Sequence, residues 1–433
     1  MIPTIVIAVL TCIVLILSVL FFPKVKIFKK DINTYWIVGI IGALLMLIFK
    51  SISFSDALAG LTSDSSVNPI KILVLFISMT VLSIFLDEVG FFKYLACLAT
   101  KKAKSNQAIL FIILYCLVSI LTVFTSNDIV ILTFTPFICY FAKNTKINPI
   151  PYLVAEFAAA NTWSMMLIIG NPTNIYLGTA AGIDFISYLK VMAIPTLFAG
   201  AVEILIMFIL FRKHLKVPLN IEVNEEKIND KVSLIIGLIH LSVCLVLLVI
   251  SSYISMDMWI ICLMCALSLI VCTSLYFAFK KKGFKSLKNT FIRLPWDLIP
   301  FVISMFIIVL SLNEKGVTEV LRNFLGQKNI ILSYGYSSFL ACNLINNIPM
   351  SVLFSTIPNM PTDVQQLQAV YSTVIGSNIG AFLTPIGALA GIMFTDLINK
   401  QNVSYNFKTF VKYGLIIAIP TISAALLGLM IVL

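Results

Sequence analysis

Long apolar stretches alternate with short polar ones along the whole chain. Ten of them are predicted to cross a membrane, since one crossing takes about 20 mostly apolar residues. They lie near 2–22, 35–50, 70–86, 150–182, 191–212, 232–254, 257–279, 296–312, 366–398 and 409–433. Because a bilayer core requires a backbone that is hydrogen-bonded within itself, this pattern predicts an all-α polytopic membrane protein with about 10 transmembrane helices.

Two further apolar segments, 107–142 and 330–357, carry polar residues at their centres. About 14 apolar residues follow Asp128 and about 10 follow Asn347, which at 1.5 Å per residue reach only about 21 and 15 Å. A hydrocarbon core is about 30 Å thick. We therefore predict two re-entrant helical hairpins, the first entering from the cytoplasm and the second from the exterior. A pair of full crossings in either place would leave the rest of the topology unchanged.

The two halves of the chain resemble each other. The segments 69–90 and 295–316 are identical at 7 of 22 aligned positions, and "SND" at 126–128 corresponds to "INN" at 345–347. Each half has five spans and one hairpin, and an odd number of spans inverts the second half. The predicted domains are a first inverted repeat at 1–215, a cytoplasmic linker at 216–231 and a second inverted repeat at 232–433. Inverted repeats with broken helices are typical of secondary transporters.

Composition and charge agree with a membrane location. The 433 residues are 60% hydrophobic and 11% charged, and the net charge is +11. Basic residues gather in cytoplasmic loops, and 24 of the 30 lysines and arginines lie inside if the N-terminus is outside. We expect a multi-pass protein of the cell membrane with both termini extracytoplasmic, and no nucleic-acid partner. The sequence has no nucleotide-binding G-x-x-x-x-G-K-[ST] motif, and we expect no enzymatic activity.

Polar and helix-breaking residues interrupt the apolar sequence at four places, which are expected to meet at the membrane midplane. Two are the hairpin tips, and two are the motifs "GNPTN" and "GSNIGAFLTP" in the fourth and ninth spans. Proline and glycine free backbone groups there, and helix ends present dipoles to ions or polar solutes. The predicted substrate- and ion-binding residues are Ser126, Asn127, Asp128, Gly170, Asn171, Pro172, Thr173, Asn174, Asn346, Asn347, Gly376, Ser377, Asn378, Thr384 and Pro385.

Acidic residues inside spans are costly unless they face a cavity or a partner. Asp128, Glu156 and Glu203 are therefore candidate proton carriers. Asp128 and the asparagines have a second interpretation, as caps of the helices that begin at the breaks. We expect no metal site and no cofactor, apart from Na⁺ or H⁺ as a coupling ion. Since no lysine or arginine occurs in the hairpins near their tips or beside the broken-span motifs, composition favours a neutral or weakly charged substrate.

Four motifs, "TSNDIVILTFTP", "NNIPMSVL", "GSNIGAFLTPIGALAG" and "LPWDLIPFVISMFIIVLSLNEKG", resemble the arsenite permeases of the arsenical pump family. That family belongs to the ion transporter superfamily, with the divalent-anion/sodium symporters. The resemblance covers nearly the whole chain and implies an inverted-repeat fold, often a homodimer with an elevator-like division into scaffold and transport regions. It also implies that Asn127, Asp128, Asn346 and Asn347 lie in the substrate and ion region.

One motif departs from that resemblance. The fourth-span break reads "GNPTN" where arsenite permeases usually have a sequence like "SNLVN", and it is closer to the carboxylate branch of the superfamily. The first hypothesis is arsenite or antimonite efflux in exchange for protons, and a cytoplasmic ATPase is a possible partner. The alternative is Na⁺-coupled transport of a di- or tricarboxylate or another anion. A channel or a scaffold without coupled transport is the third.

Overall fold

The computed structural model describes residues 1–22, 24–27, 30–63, 68–103, 106–216, 228, 230–251, 253–326, 328–357 and 360–433. Helices dominate, and the described part contains one two-stranded antiparallel sheet, of β1 (Lys24–Ile27) and β2 (Lys30–Asn33). The predicted linker 216–231 lies, except for 216, 228, 230 and 231, outside the described residues. The prediction of a helical membrane protein is confirmed.

The described residues of the first half form ten α-helices. They are α1 (Ile2–Phe21), α2 (Thr34–Ile48), α3 (Phe54–Thr62), α4 (Pro69–Glu88), α5 (Phe91–Ala103), α6 (Gln107–Phe124), α7 (Asn127–Thr145), α8 (Ile150–Trp163), α9 (Pro172–Ala180) and α10 (Phe185–Phe211). Two short 3-10 turns, Ser164–Met166 and Ile168–Gly170, separate α8 from α9. The fourth span is thus interrupted, as the sequence predicts.

In the second half, the part that the structure describes also forms ten helices. They are α11 (Lys231–Val249), α12 (Met258–Phe279), α13 (Lys285–Arg293), α14 (Leu298–Glu314), α15 (Val317–Leu325), α16 (Ile330–Ile345), α17 (Asn347–Thr356), α18 (Asp363–Gly380), α19 (Leu389–Lys400) and α20 (Phe407–Val432). The ninth span is interrupted between α18 and α19. The short helices α3, α5, α13 and α15 lie outside the predicted spans, because their charged residues lower the local hydropathy.

Eight helical segments of the described chain are long and apolar enough to cross a membrane. They are Ile2–Val19, Pro69–Glu88, Gln107–Phe124, Phe185–Phe211, Lys231–Val249, Met258–Phe279, Lys285–Glu314 and Phe407–Val432. Large apolar side chains of these helices remain exposed, for example Leu205, Val246 and Met264. Such a surface suits lipid contact, since lipid tails solvate apolar side chains.

The helices of the two inserts differ in length. α7 has 19 residues, more than the 14 apolar ones expected, because its last turn continues through the polar residues Lys143–Thr145. α17 has 10 residues, about 15 Å at 1.5 Å per residue, as expected. The short length of α17 therefore supports a re-entrant hairpin, whereas the greater length of α7 supports one less.

Side-chain caps fix where several helices begin, because they satisfy backbone N–H groups that lack a partner within the helix. The side chains of Asn68, Asn106, Asp184 and Asn406 cap α4, α6, α10 and α20. Asp230 caps α11. Burial alone raises the pKa of Asp230, but hydrogen bonds from Lys282, Ser233 and Tyr276 outweigh it and lower the pKa to about 2.

Candidate functional site

The candidate site is a cavity of about 700 Å³ at the start of α7. Ser126 and Asp128 from the α6–α7 break and Pro385 and Ile386 from the α18–α19 break line it. Lys24, Asn33, Arg293 and Asp396 line it as well, and the charge pattern predicts that these four residues lie on the cytoplasmic side. The cavity thus joins two of the four predicted breaks.

The α6–α7 break exposes one unpaired acid and buries one unpaired hydroxyl. Ser126 adopts extended backbone between the helices, and its buried Oγ has no hydrogen-bond partner in the described part of the chain. Asp128 follows in the first turn of α7, where the helix dipole favours a negative charge. Among the described residues, no hydrogen bond or ion pair reaches the Asp128 carboxylate. Both groups are therefore available to a ligand.

Asn127 does not line this cavity. It is buried, and its Nδ2 donates to Oδ1 of Asn161 on α8 over 3.2 Å, while its own Oδ1 accepts no hydrogen bond from a described residue. Asn161 in turn donates to the Phe157 carbonyl. Asn161 was missed from the sequence, because nothing in its apolar surroundings in α8 marks it as close to the α6–α7 break.

The α16–α17 break is held against the α18–α19 break. Asn346 adopts a positive φ of 71°, which a residue without a side-chain branch at Cβ tolerates best. Its Nδ2 donates to the Ile386 carbonyl over 3.0 Å, and the N–H of Asn347 donates to the Gly387 carbonyl over 2.9 Å. Asn346 therefore supports a segment that lines the cavity, although it does not line the cavity itself.

Thr384 lies in the same region. Its hydroxyl donates to Oδ1 of Asn343 over 2.7 Å, and Nδ2 of Asn343 donates to the Gly380 carbonyl over 2.9 Å. Asn343 thus binds the end of α18 and the middle of the non-helical segment that follows it. Sequence reasoning missed Asn343, although it lies only three residues before the recognised Asn346.

The two broken spans contact each other through Asn378. Its Oδ1 accepts from Asn171 Nδ2 over 3.0 Å and from Ser164 Oγ over 2.9 Å, and its Nδ2 donates to Asn174 Oδ1 over 2.6 Å. These side chains are buried and do not line the cavity. Their role as ligands stays a prediction, and what the structure shows is a polar contact between the two halves.

The remaining predicted residues lie around these contacts. Pro172 and Thr173 line a second, small cavity of about 20 Å³, which shares Phe76 and Leu298 with the large one. Ser377 is buried, and its Oγ has no hydrogen-bond partner among the described residues. Gly170 and Gly376 allow close approach, since a Cβ at either would collide with a neighbouring carbonyl, of Ser164 or Gly335.

The two other candidate proton carriers lie away from the large cavity. Glu156 is buried in α8, and the Thr135 hydroxyl lies 3.1 Å from each of its carboxylate oxygens. Glu203 is buried in α10, where its Oε2 lies 3.1 Å from the Tyr115 hydroxyl. That hydroxyl also accepts from the indole N–H of Trp163.

Two basic residues line the cavity although none was expected near the breaks. Arg293 bonds Asp87 and Glu88 over 2.6 Å each, and Lys24 lies 3.2 Å from Asp396. The folding of α13 against α4 and the β1–β2 hairpin bring them there. Each is already paired with a carboxylate, so neither adds a free positive charge.

A family model described as "Citrate transporter" matches residues 25–373. The chain belongs to the citrate transporter family. Its curated relatives in this comparison include the "Arsenical pump membrane protein" of Escherichia coli (strain K12), 26% identical over 82% of this chain and 84% of the relative. The "Putative arsenical pump membrane protein" of Bacillus subtilis (strain 168) is 23% identical over 87% of this chain and 89% of the relative. The resemblance to arsenite permeases is thereby confirmed.

A solved structure supports the fold of this citrate transporter family member. The YdaH transporter of Alcanivorax borkumensis, described as having an unusual topology, matches with a TM-score of 0.56 at 14% identity. The match covers 99% of this chain and 98% of that one. Together these comparisons establish a multi-pass membrane transporter, related to transporters and not to enzymes.

Proposed function

We propose that this protein exports arsenite or antimonite across the cell membrane in exchange for protons. The relatives named as arsenical pump membrane proteins motivate this substrate. At neutral pH arsenite is largely an uncharged trihydroxide. It therefore needs hydrogen-bond partners, and it does not need a strong positive field.

The charge of the cavity wall carries the proposal. Asp128 and Asp297 form no ion pair with a described residue and contribute two uncompensated negative charges. The other charged residues of the wall are paired, Asp396 with Lys24 and Lys400, and Arg293 with Asp87 and Glu88. A free anion would gain little from such a wall and would be repelled by Asp128, because like charges in a poorly solvated space interact strongly.

Asp128 is the proposed proton carrier. Its carboxylate lines the cavity and has no partner among the described side chains, so both substrate and protons reach it. Glu156 and Glu203 are buried against hydroxyl groups of Thr135 and Tyr115, outside the wall of that cavity. Protonation of Asp128 and binding of the trihydroxide would then exclude each other, which is the requirement for exchange.

The contacts between helices support an inverted-repeat architecture with two re-entrant hairpins. Under the proposed repeat, α2 corresponds to α12 and α4 to α14. Accordingly α4 packs against α12 and α14 packs against α2. In the same way α7 packs against α19 and α17 packs against α9, and these pairs correspond to each other as well. The cavity would then lie between the repeats, where transporters of this kind bind substrate.

Transport in everted membrane vesicles tests the proposal. Vesicles containing the protein should accumulate arsenite when a proton gradient, acidic inside, is imposed, and Asp128→Asn should abolish this uptake. Glu156→Gln is the matched control, since it removes a buried carboxylate outside the cavity and should retain uptake. Gradient-driven uptake that persists in Asp128→Asn, or no uptake by the wild type, would refute the proposal.

A second candidate is Na⁺-coupled transport of a di- or tricarboxylate. The family model described as a citrate transporter favours it, as does the "GNPTN" break at 170–174. Freed carbonyls at the breaks would hold Na⁺, and the ion would offset the negative wall. Sodium-dependent uptake of labelled succinate or citrate into proteoliposomes, without arsenite transport, would favour this candidate over the first.

A further inference from the structure

We propose that Tyr35 and Asp297 form the wall of the substrate site opposite Asp128 and make it selective for uncharged, hydroxyl-bearing solutes over anions. The inference rests on the proposed use of the 700 Å³ cavity as the substrate site. Tyr35 lies outside the quoted motifs, and Asp297 occurs in one of them, "LPWDLIPFVISMFIIVLSLNEKG", without an assigned role. As the N-cap residue of α14, Asp297 at first resembles an ordinary carboxylate at a helix start.

The β1–β2 hairpin fixes the orientation of Asp297. Asn33 ends β2 and precedes α2, and its Nδ2 donates to Asp297 Oδ2 over 2.7 Å. Both residues line the cavity. The other carboxylate oxygen, Oδ1, has no hydrogen-bond partner in the described part of the chain. One oxygen thus holds the carboxylate in place and the other remains free to accept a hydrogen bond from a ligand.

Tyr35 lines the same cavity as the two acids. Its ring packs edge-on against Phe301 of α14, with 5.1 Å between centroids and 87° between planes, which fixes the direction of the phenol. The Tyr35 hydroxyl lies within the electrostatic reach of both Asp297 and Asp128. It makes no hydrogen bond with a described residue. It is therefore a donor that a solute between the two carboxylates can use.

Ser126 supplies an independent indication of a ligand. The residue is only 5% exposed and lines the cavity. Its Oγ has no hydrogen-bond partner among the residues that the structure describes. An unpaired buried hydroxyl costs free energy unless a ligand or water completes it. The site therefore combines two carboxylates, which accept hydrogen bonds from hydroxyl groups, with two hydroxyl groups that donate or accept.

This donor and acceptor set discriminates by charge. A trihydroxide donates its O–H groups to Asp128 and Asp297 and accepts from Tyr35 or Ser126. A carboxylate or phosphate brings only acceptors and negative charge toward two acids, and Lys24 and Arg293 are already paired. A site built for hydroxyl donors rejects a ligand that lacks them, because its own buried groups are left unpaired.

The test uses the purified full chain in proteoliposomes, with Asp297→Asn and Tyr35→Phe. Both are nearly isosteric, and Asp363→Asn, at an exposed position in the first turn of α18 outside the cavities, is the matched control. We expect the KM for arsenite to rise about tenfold in Asp297→Asn and several-fold in Tyr35→Phe, with maximal rates within about twofold of wild type. Citrate and succinate should not compete in wild type or Asp363→Asn, and should compete in Asp297→Asn. Unchanged KM values together with unchanged competition would overturn the inference.

A second measurement separates this inference from the proposed substrate. The unfolding temperature of the purified protein, measured with and without citrate or succinate, reports binding even if no transport occurs. Both anions should raise this temperature for Asp297→Asn but not for the wild type. If the wild type transports no arsenite, the proposed function is wrong. The change in unfolding temperature of Asp297→Asn with the anions still tests whether Asp297 excludes anions from the cavity. Equal stabilisation of wild type and Asp297→Asn by the anions would refute the selectivity.

Discussion

The side-chain amides of Asn174 and Asn378 bond directly, with 2.6 Å between Asn378 Nδ2 and Asn174 Oδ1, although 204 positions separate them in the chain. Asn171 and Ser164 bond the same Asn378 through its Oδ1. One side chain of the ninth span therefore satisfies three groups of the fourth-span break. The contact couples the two halves of the chain at the point where both lose regular helix.

Removing Asn378 should uncouple the two broken spans. Asn378→Ala leaves the buried Asn171 Nδ2 and Asn174 Oδ1 without these hydrogen bonds. The substitution should therefore lower the free energy of unfolding by about 3 kcal/mol. We expect a clearly lower unfolding temperature in detergent and a loss of transport. Asn144→Ala, at an exposed position in the last turn of α7, is the control and should match wild type. A stable and active Asn378→Ala would contradict a coupling role.

Arg293 should stabilise the protein only through its two acids. The side chains of Asp87 and Glu88 are 7% and 14% exposed, so Arg293→Met leaves two poorly solvated charges unpaired. Removing one partner of such an ion pair lowers the free energy of unfolding by roughly 3 kcal/mol. Replacing all of its members by uncharged residues changes that free energy little. The triple variant Asp87→Asn, Glu88→Gln, Arg293→Met should recover most of the unfolding temperature. No recovery would mean that the arginine has another role.

Phe76 should close the route between the large cavity and the opposite face. It lines both the large and the small cavity, and the small one shares Ile72 with a third cavity of about 520 Å³ beside Lys71 and Trp259. Three cavities thus follow one side of α4, with an apolar constriction in the middle. Phe76→Ala should permit downhill arsenite flux without a proton gradient, measured in vesicles.

The control for that variant is another phenylalanine on α4. Phe85 is fully buried and packs near Gly237 of α11, away from the cavities. Both truncations should cost about 3–5 kcal/mol, because each leaves a void in the core. A leak in Phe76→Ala and none in Phe85→Ala would support the constriction, and equal leaks would argue for general loosening.

Gly376 should tolerate no side chain. A Cβ there would collide with Ser338 Oγ and the Gly335 carbonyl of α16, and the carbonyl cannot rotate away. Gly376→Ala should lower the stability by about 3 kcal/mol or more and reduce the yield of folded protein. Gly283→Ala, with nothing within 4 Å of the added carbon, should be harmless. Size-exclusion profiles and thermal unfolding of both variants measure the difference.

The sequence by itself determined the class of this protein and approximately where its helices break. Seven of the ten predicted spans coincide with membrane-length apolar helices of the described chain, and the eighth such helix, Gln107–Phe124, lies in the predicted first hairpin. Apolar length predicts membrane-crossing helices because lipid leaves the backbone no other hydrogen-bond partner. Asparagine and glycine mark the breaks at Asn346 and after Gly380, since these residues release or cap helix ends. The predicted break at 170–174 marks only the end of the fourth-span break, which begins at Ser164 and ends where Asn171 caps α9. Apolar length and helix-breaking residues are local properties, which a short run of consecutive residues is enough to show.

Only the tertiary structure decided which polar groups face the cavity and which face each other. Asn171, Asn174 and Asn378 have the same chemistry as cavity ligands, yet they bond one another, while Tyr35, Asn33 and Asp297 reach the cavity from a strand end and two helix starts. Arg293 and Lys24 likewise join the wall already paired. Pairing between residues hundreds of positions apart depends on how the helices pack, and a single sequence does not contain that information in any local pattern.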